Sequence, residues 1–144
     1  DLVDQFRRTQ GMAFSLGSLE YIQRGGRIGK GRAIMGNLLG VKPILEVAGG
    51  QVVPYAKARG ADKVIPALVS FVEERSTAGR PLRLALAHAL APDLLQELET
   101  QVMRVRPNAT VEFRAQIGPC VGTHAGPGTV GVACFHDPVD APAD

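Results

Sequence analysis

The sequence predicts an α/β domain built on a mixed, mostly antiparallel β-sheet covered by helices. Three observations lead there. Apolar residues alternate at period two in several segments of strand length, with stretches of helical period between them. Residues 41–57 read as a β-hairpin around Gly49-Gly50, so the sheet is not all parallel. The chain has 144 residues, of which 45% are hydrophobic and 21% charged, enough for one domain with its own core.

The elements follow in order. Residues 1–10 are helical, with Leu2, Val3 and Phe6 on one face, and Gly11 ends the helix. Residues 12–16 are short and apolar and read as a strand. Ser18 caps a short helix with Leu19 and Ile22 inward and Gly25 at its end. Residues 28–39 read as a further helix, with Ile34, Met35, Leu38 and Leu39 clustered before Gly40. The hairpin strands are 41–47 and 52–57. Residues 62–74 are helical along Val64, Leu68, Phe71 and Val72, so Pro66 must sit near the first turn. Leu82, Leu84, Leu86 and His88 share one face of a strand. Pro92 and Asp93 open a helix carrying Leu94, Leu95, Leu98 and Val102. In the strand 109–117, Val111, Phe113, Ala115 and Ile117 alternate against Glu112, Arg114 and Gln116. Residues 129–135 form the last strand, giving roughly five strands with helices between them and no internal repeat.

Composition narrows the function. A net charge of +2, 5% aromatic residues and no Trp give neither the charge nor the stacking platform that nucleic acid needs. No apolar run approaches the roughly 20 residues of a membrane helix. No signal peptide opens the chain, and Cys120 and Cys134 lack metal spacing, so both read as buried free thiols of a cytoplasmic protein. No metal site is expected. The abrupt helical start reads as a fragment whose preceding domain is missing. The domain is expected over residues 1–136, and the acidic, Pro-rich residues 137–144 read as a disordered tail.

Two glycine-rich segments carry the candidate chemistry. The first is Gly118-Pro119-Cys120-Val121-Gly122-Thr123-His124-Ala125-Gly126-Pro127-Gly128-Thr129. As a loop it presents a hydroxyl, an imidazole and exposed backbone N–H groups together, an inventory suited to a carboxylate. It also reads as a tight structural turn between strands. The second, Arg24-Gly25-Gly26-Arg27-Ile28-Gly29-Lys30-Gly31-Arg32, places four cations among four glycines. It is not a P-loop, because Arg24 stands where the first glycine is needed and Gly31 follows Lys30. Residues 126–131 satisfy G-x-G-x-x-G, but a strand rather than a helix follows. The basic run also reads as a solvated loop and helix start.

Five segments together resemble the DegV family of fatty-acid-binding proteins. They are Ser18-Leu19-Glu20-Tyr21-Ile22-Gln23-Arg24-Gly25-Gly26-Arg27-Ile28-Gly29, Val41-Lys42-Pro43-Ile44-Leu45, Gly50-Gln51-Val52-Val53-Pro54, Lys57-Ala58-Arg59-Gly60, and Gly118-Pro119 with Gly122-Thr123-His124-Ala125-Gly126-Pro127-Gly128. The resemblance covers about residues 1–136 and only the second domain of the family's two-domain fold. Cys120 departs from it, standing where an aliphatic residue is usual. It implies a carrier, not an enzyme. A long-chain fatty acid would lie between two domains, the first of them absent here, with its carboxylate offered to a fatty acid kinase for acyl-phosphate formation ahead of phospholipid synthesis. No cofactor is implied. Thr123 and His124 would bind the carboxylate. Leu19, Ile28, Met35, Leu38 and Leu39 would line the acyl chain, although each alone also reads as ordinary core. Arg24, Arg27, Lys30 and Arg32 would flank the kinase-docking end. Burying roughly 14 methylenes yields about 11 kcal/mol gross, against at least about 4 kcal/mol for association, so the head-group bonds chiefly orient the acid.

The other polar residues have plainer readings. His88 is a hydrogen-bonded structural histidine, His136 is exposed, and Asp93, Glu97 and Glu99 form a solvated helix face. No nucleophile stands beside a base in sequence. The alternatives from other classes are a phosphate- or nucleotide-binding enzyme domain using both glycine-rich segments, and a ligand-free interaction domain.

Overall fold

The structure, a computed structural model, describes residues 2–30 and 40–137. Most of the helix expected at 28–39 lies outside the described residues, as do Arg32, Met35, Leu38, Leu39 and tail residues 138–144. Among the described residues there are six strands, rather than about five. They are β1 (Gly11–Ser15), β2 (Val41–Ala48), β3 (Gln51–Arg59), β4 (Leu82–Ala89), β5 (Ala109–Gln116) and β6 (Thr129–Phe135). They form one sheet in the order β3-β2-β1-β6-β4-β5. Every pairing is antiparallel except β4 with β5. The helices are α1 (Leu2–Thr9), α2 (Glu20–Arg24), α3 (Val64–Arg75), α4 (Pro92–Val105) and α5 (Pro119–Ala125).

Local chemistry accounts for the main elements. Gly49 and Gly50 have φ of 57° and 74°, the pair of positive values that a two-residue hairpin turn of the right hand requires. Pro66 falls in the first turn of α3, where its missing N–H costs no hydrogen bond. Pro92 begins α4, and Leu95, Leu98 and Val102 recur along its buried stripe.

Helices α3 and α4 pack on one face of the sheet. There Leu68, Phe71 and Val72 of α3 and Leu98 and Val102 of α4 meet Ile44, Leu84, Leu86, Val130 and Val132, all at most 1% exposed. Complete burial is worth about 1.5–3 kcal/mol for each such side chain, so this face holds the domain together. A smaller cluster of Leu16, Ile22, Ile28, Leu45 and Ala125 sits where α2 and α5 meet the sheet.

The face opposite α3 and α4 is apolar, and the described residues cover it only in part. Register fixes its composition. Met12, Ala133, Ala85 and Phe113 form one row across β1, β6, β4 and β5, and Phe14, Gly131, Ala87 and Ala115 form the next. Large side chains stand on β1, with glycine and alanines on β6 and β4. The expected strand pattern fails in β5. A bulge skips Glu112 between the pairs Leu84↔Val111 and Ala85↔Phe113. An extra residue reverses the alternation, so Val111 packs with the core while Phe113 turns to the open face and is 70% exposed.

Two histidines and two cysteines complete the frame. His88 Nδ1 accepts the Ala91 N–H at 3.0 Å, a structural role. His136 is 3% exposed, not at the surface as expected. Its Nε2 accepts the Thr77 N–H at 2.9 Å and its Nδ1 donates to the Pro81 carbonyl at 2.6 Å, tying the α3–β4 connection to the end of β6. Cys134 is buried, and burial pushes its thiol up to about 11. Cys120 is exposed, contrary to expectation. Asp137 is held by Arg83, which also reaches Glu112 at the bulge.

Candidate functional site

The glycine-rich run 118–129 is not the loop its composition suggests. Gly118 lies in the N-cap position, Pro119 takes the first helical position, and residues 119–125 form α5. Gly126 ends the helix with φ of 75°. The Gly122 and Gly126 N–H groups are engaged by the Gly118 and Gly122 carbonyls, both at 2.8 Å, rather than held open for a ligand. The helix also places Cys120 and His124 one turn apart, on the wall of the same hollow.

The second glycine segment meets the first in space. Helix α2 packs on α5. A Cβ added to Gly25 would collide with His124 Nδ1, and one added to Gly126 would collide with the Tyr21 ring. The φ of Gly25 is −73°, open to any residue, so glycine is needed there for the close approach and not for the turn. Nδ1 of His124 is buried and has no hydrogen-bond partner among the described residues. Leaving such a group unsatisfied costs about 1–3 kcal/mol. That cost argues against a stabilising role for the imidazole. His124 itself lines the hollow on the open face.

His124 stands at one end of an apolar hollow of about 660 Å³ on the open face of the sheet. The floor is Gly131, Ala85, Ala87 and Ala133, and Met12, Phe14 and Phe113 rise from it. Met12, Val47, Phe113 and Val121 all line it and are 41–70% exposed. Soluble domains rarely leave contiguous apolar surface of this kind uncovered unless it binds something.

The other expected site residues are distributed unevenly. Thr123 is exposed, outside the hollow, and its hydroxyl donates to the Pro119 carbonyl at 2.7 Å. Arg27 borders the hollow and donates to the Gly25 carbonyl at 2.8 Å. Arg24 is exposed and paired with Glu20 at 2.6 Å, and Lys30 is exposed. Ile28 is buried in the small cluster. Leu19 packs on that cluster and lines a separate groove of about 600 Å³ beside Lys42. Among the described residues no group of three His, Cys, Asp or Glu could hold a metal ion, and no helix is long and apolar enough to cross a membrane. The residues that sequence reasoning missed are the floor and wall on β1, β4, β5 and β6. Their signal was the small residues at alternate positions of two apolar strands.

Comparison with known proteins gives a consistent picture. The family model described as "Uncharacterised protein, DegV family" matches residues 1–137. The chain is 32% identical over 135 residues to Protein DegV of Bacillus subtilis, covering 92% of this chain and 47% of that protein. It is 34% identical over 118 residues to a protein of Thermotoga maritima named "Fatty acid-binding protein", covering 82% and 41%. A Thermus thermophilus structure described as fatty acid binding of a DegV family protein superposes with a TM-score of 0.78 at 29% identity, covering 88% of this chain and 45% of that one. The chain thus spans less than half the length of these relatives.

Proposed function

The chain belongs to the DegV family, and from that premise we propose that it forms one half of a two-domain carrier that holds a long-chain fatty acid on the open face of its sheet. The carrying observation is His124, set at the end of the apolar hollow with Nδ1 buried against Gly25. Nε2 donates to the carboxylate, and the acyl chain runs over the alanine and glycine floor. Thr123 lies next to His124 but outside the hollow, so it joins only where the carboxylate projects from the mouth, exchanging its bond to Pro119 for one to the acid. The other half of the protein covers the hollow. Relatives that bind fatty acid and are about twice as long support this reading.

The carboxylate end is the reactive end, and the carrier presents it to a fatty acid kinase for conversion to an acyl-phosphate. The contact between Gly25 and His124 brings the basic segment to that end, where Arg24, Arg27 and Lys30 are exposed. Exposed charges at a rim act on encounter rate and are screened by salt. Kinase turnover on the carrier is therefore expected to fall with added salt, and to fall less for Arg27→Ala. An unchanged salt response in that variant would move the docking surface elsewhere.

The two-domain reading has a direct thermodynamic test. This chain alone offers the fatty acid one wall of its site. Calorimetry with a long-chain fatty acid is expected to give binding at least ~100-fold weaker for residues 1–144 than for the two-domain protein, because much of the methylene burial is lost. Equal affinities would place the ligand wholly within this domain.

A further inference from the structure

We infer that Phe113 selects between straight and bent acyl chains. This rests on the reading of the open face as the acyl site, and it concerns a residue that reaches that face only because of the bulge at Glu112. Without the extra residue, Phe113 would follow Val111 onto the helical side of β5. Bulges commonly re-aim a side chain beside a functional site. This one is held in place, since Arg83 contacts Glu112 at 2.9 Å and grips both carboxylate oxygens of Asp137 at 2.8 and 3.0 Å.

The position of Phe113 gives it leverage on shape. It lies in the row of Met12, Ala133 and Ala85. Three interstrand steps of ~4.8 Å put the Met12 and Phe113 backbones about 14 Å apart across two alanines. Their side chains thus stand on opposite sides of the alanine floor, as the two banks of a channel. The row lies four residues along β6 from Thr129, whose hydroxyl bonds the end of α5. That places it about 14 Å from the carboxylate end, level with the middle of a long acyl chain. Cis double bonds of common long-chain acids sit there and bend the chain. An aromatic bank at that depth favours a straight chain over a bent one. A 70% exposed phenyl ring contributes little to the core of this domain, so changing it leaves the fold intact.

The test is the fatty acid profile carried by the two-domain protein after expression in a host supplying both saturated and cis-unsaturated acids, read by mass spectrometry of the extracted lipid. Phe113→Ala is expected to raise the cis-unsaturated share relative to wild type by roughly three-fold or more, and Phe113→Trp to lower it. A loaded wild type whose two variants keep its profile would overturn this inference alone. Loss of all lipid from both variants would also overturn it, by making Phe113 a general wall. A wild type that carries no fatty acid would overturn the acyl site as well.

Discussion

His124→Ala in the two-domain protein is expected to weaken fatty acid binding about ten-fold while leaving thermal stability unchanged or slightly raised. Two numbers set the expectation. A hydrogen bond to a charged group is worth about 1.5–3 kcal/mol, and each 1.4 kcal/mol is ten-fold in affinity; in the proposed site Thr123 would retain part of the carboxylate contact. The stability half follows from Nδ1, which is buried without a partner. Removing it removes a desolvation cost along with some packing. Acyl-phosphate formation by a kinase should fall further than binding does, because the acid loses its orientation while the tail keeps its apolar bed. Isothermal titration, thermal melting and a coupled kinase assay separate these effects. A large drop in melting temperature with unchanged affinity would make His124 a structural residue.

Gly25→Ala is expected to disable the same site from the other side. The backbone at Gly25 has φ −73° and ψ −10°, so alanine brings no torsional strain, and on helix propensity alone it would be mildly favourable. The added Cβ instead meets the imidazole of His124. Either the ring moves or α2 and α5 part, and overpacking of this kind costs about 1–3 kcal/mol. Fatty acid affinity should drop about as far as in His124→Ala. The two changes should not add: in a His124→Ala background the space is already empty, and Gly25→Ala should then cost little. Additive losses in that double-mutant cycle would mean that Gly25 acts through something other than His124.

Some of this was legible in the sequence and some was not, for physical reasons. The hairpin was legible because adjacent glycines flanked by apolar alternation leave few other solutions, and Gly49 and Gly50 both adopt positive φ. Helices α3 and α4 were legible from their apolar stripes. Helix α5 was hidden by Gly122, which lowers intrinsic helix propensity, and by the flanking Gly-Pro pairs, which read as turns; packing against α2 outweighs that preference. Phe113 was assigned with Val111 because strict alternation was assumed, and one bulged residue inverts everything after it. The burial of His136 depends on Thr77 and Pro81, about sixty residues away in the chain. His124 itself was singled out by its motif. That its Nδ1 lies dry against Gly25 could not be read from spacing, because the two residues are joined only by the packing of α2 on α5.

The most direct measurement is a crystal structure of the two-domain protein with a long-chain fatty acid bound. A carboxylate oxygen within hydrogen-bond reach of His124 Nε2, with the acyl chain passing over Gly131, Ala87, Ala85 and Ala133, is the predicted result. A fatty acid seated elsewhere, such as in the groove beside Lys42, or one whose carboxylate does not contact His124, would contradict the account.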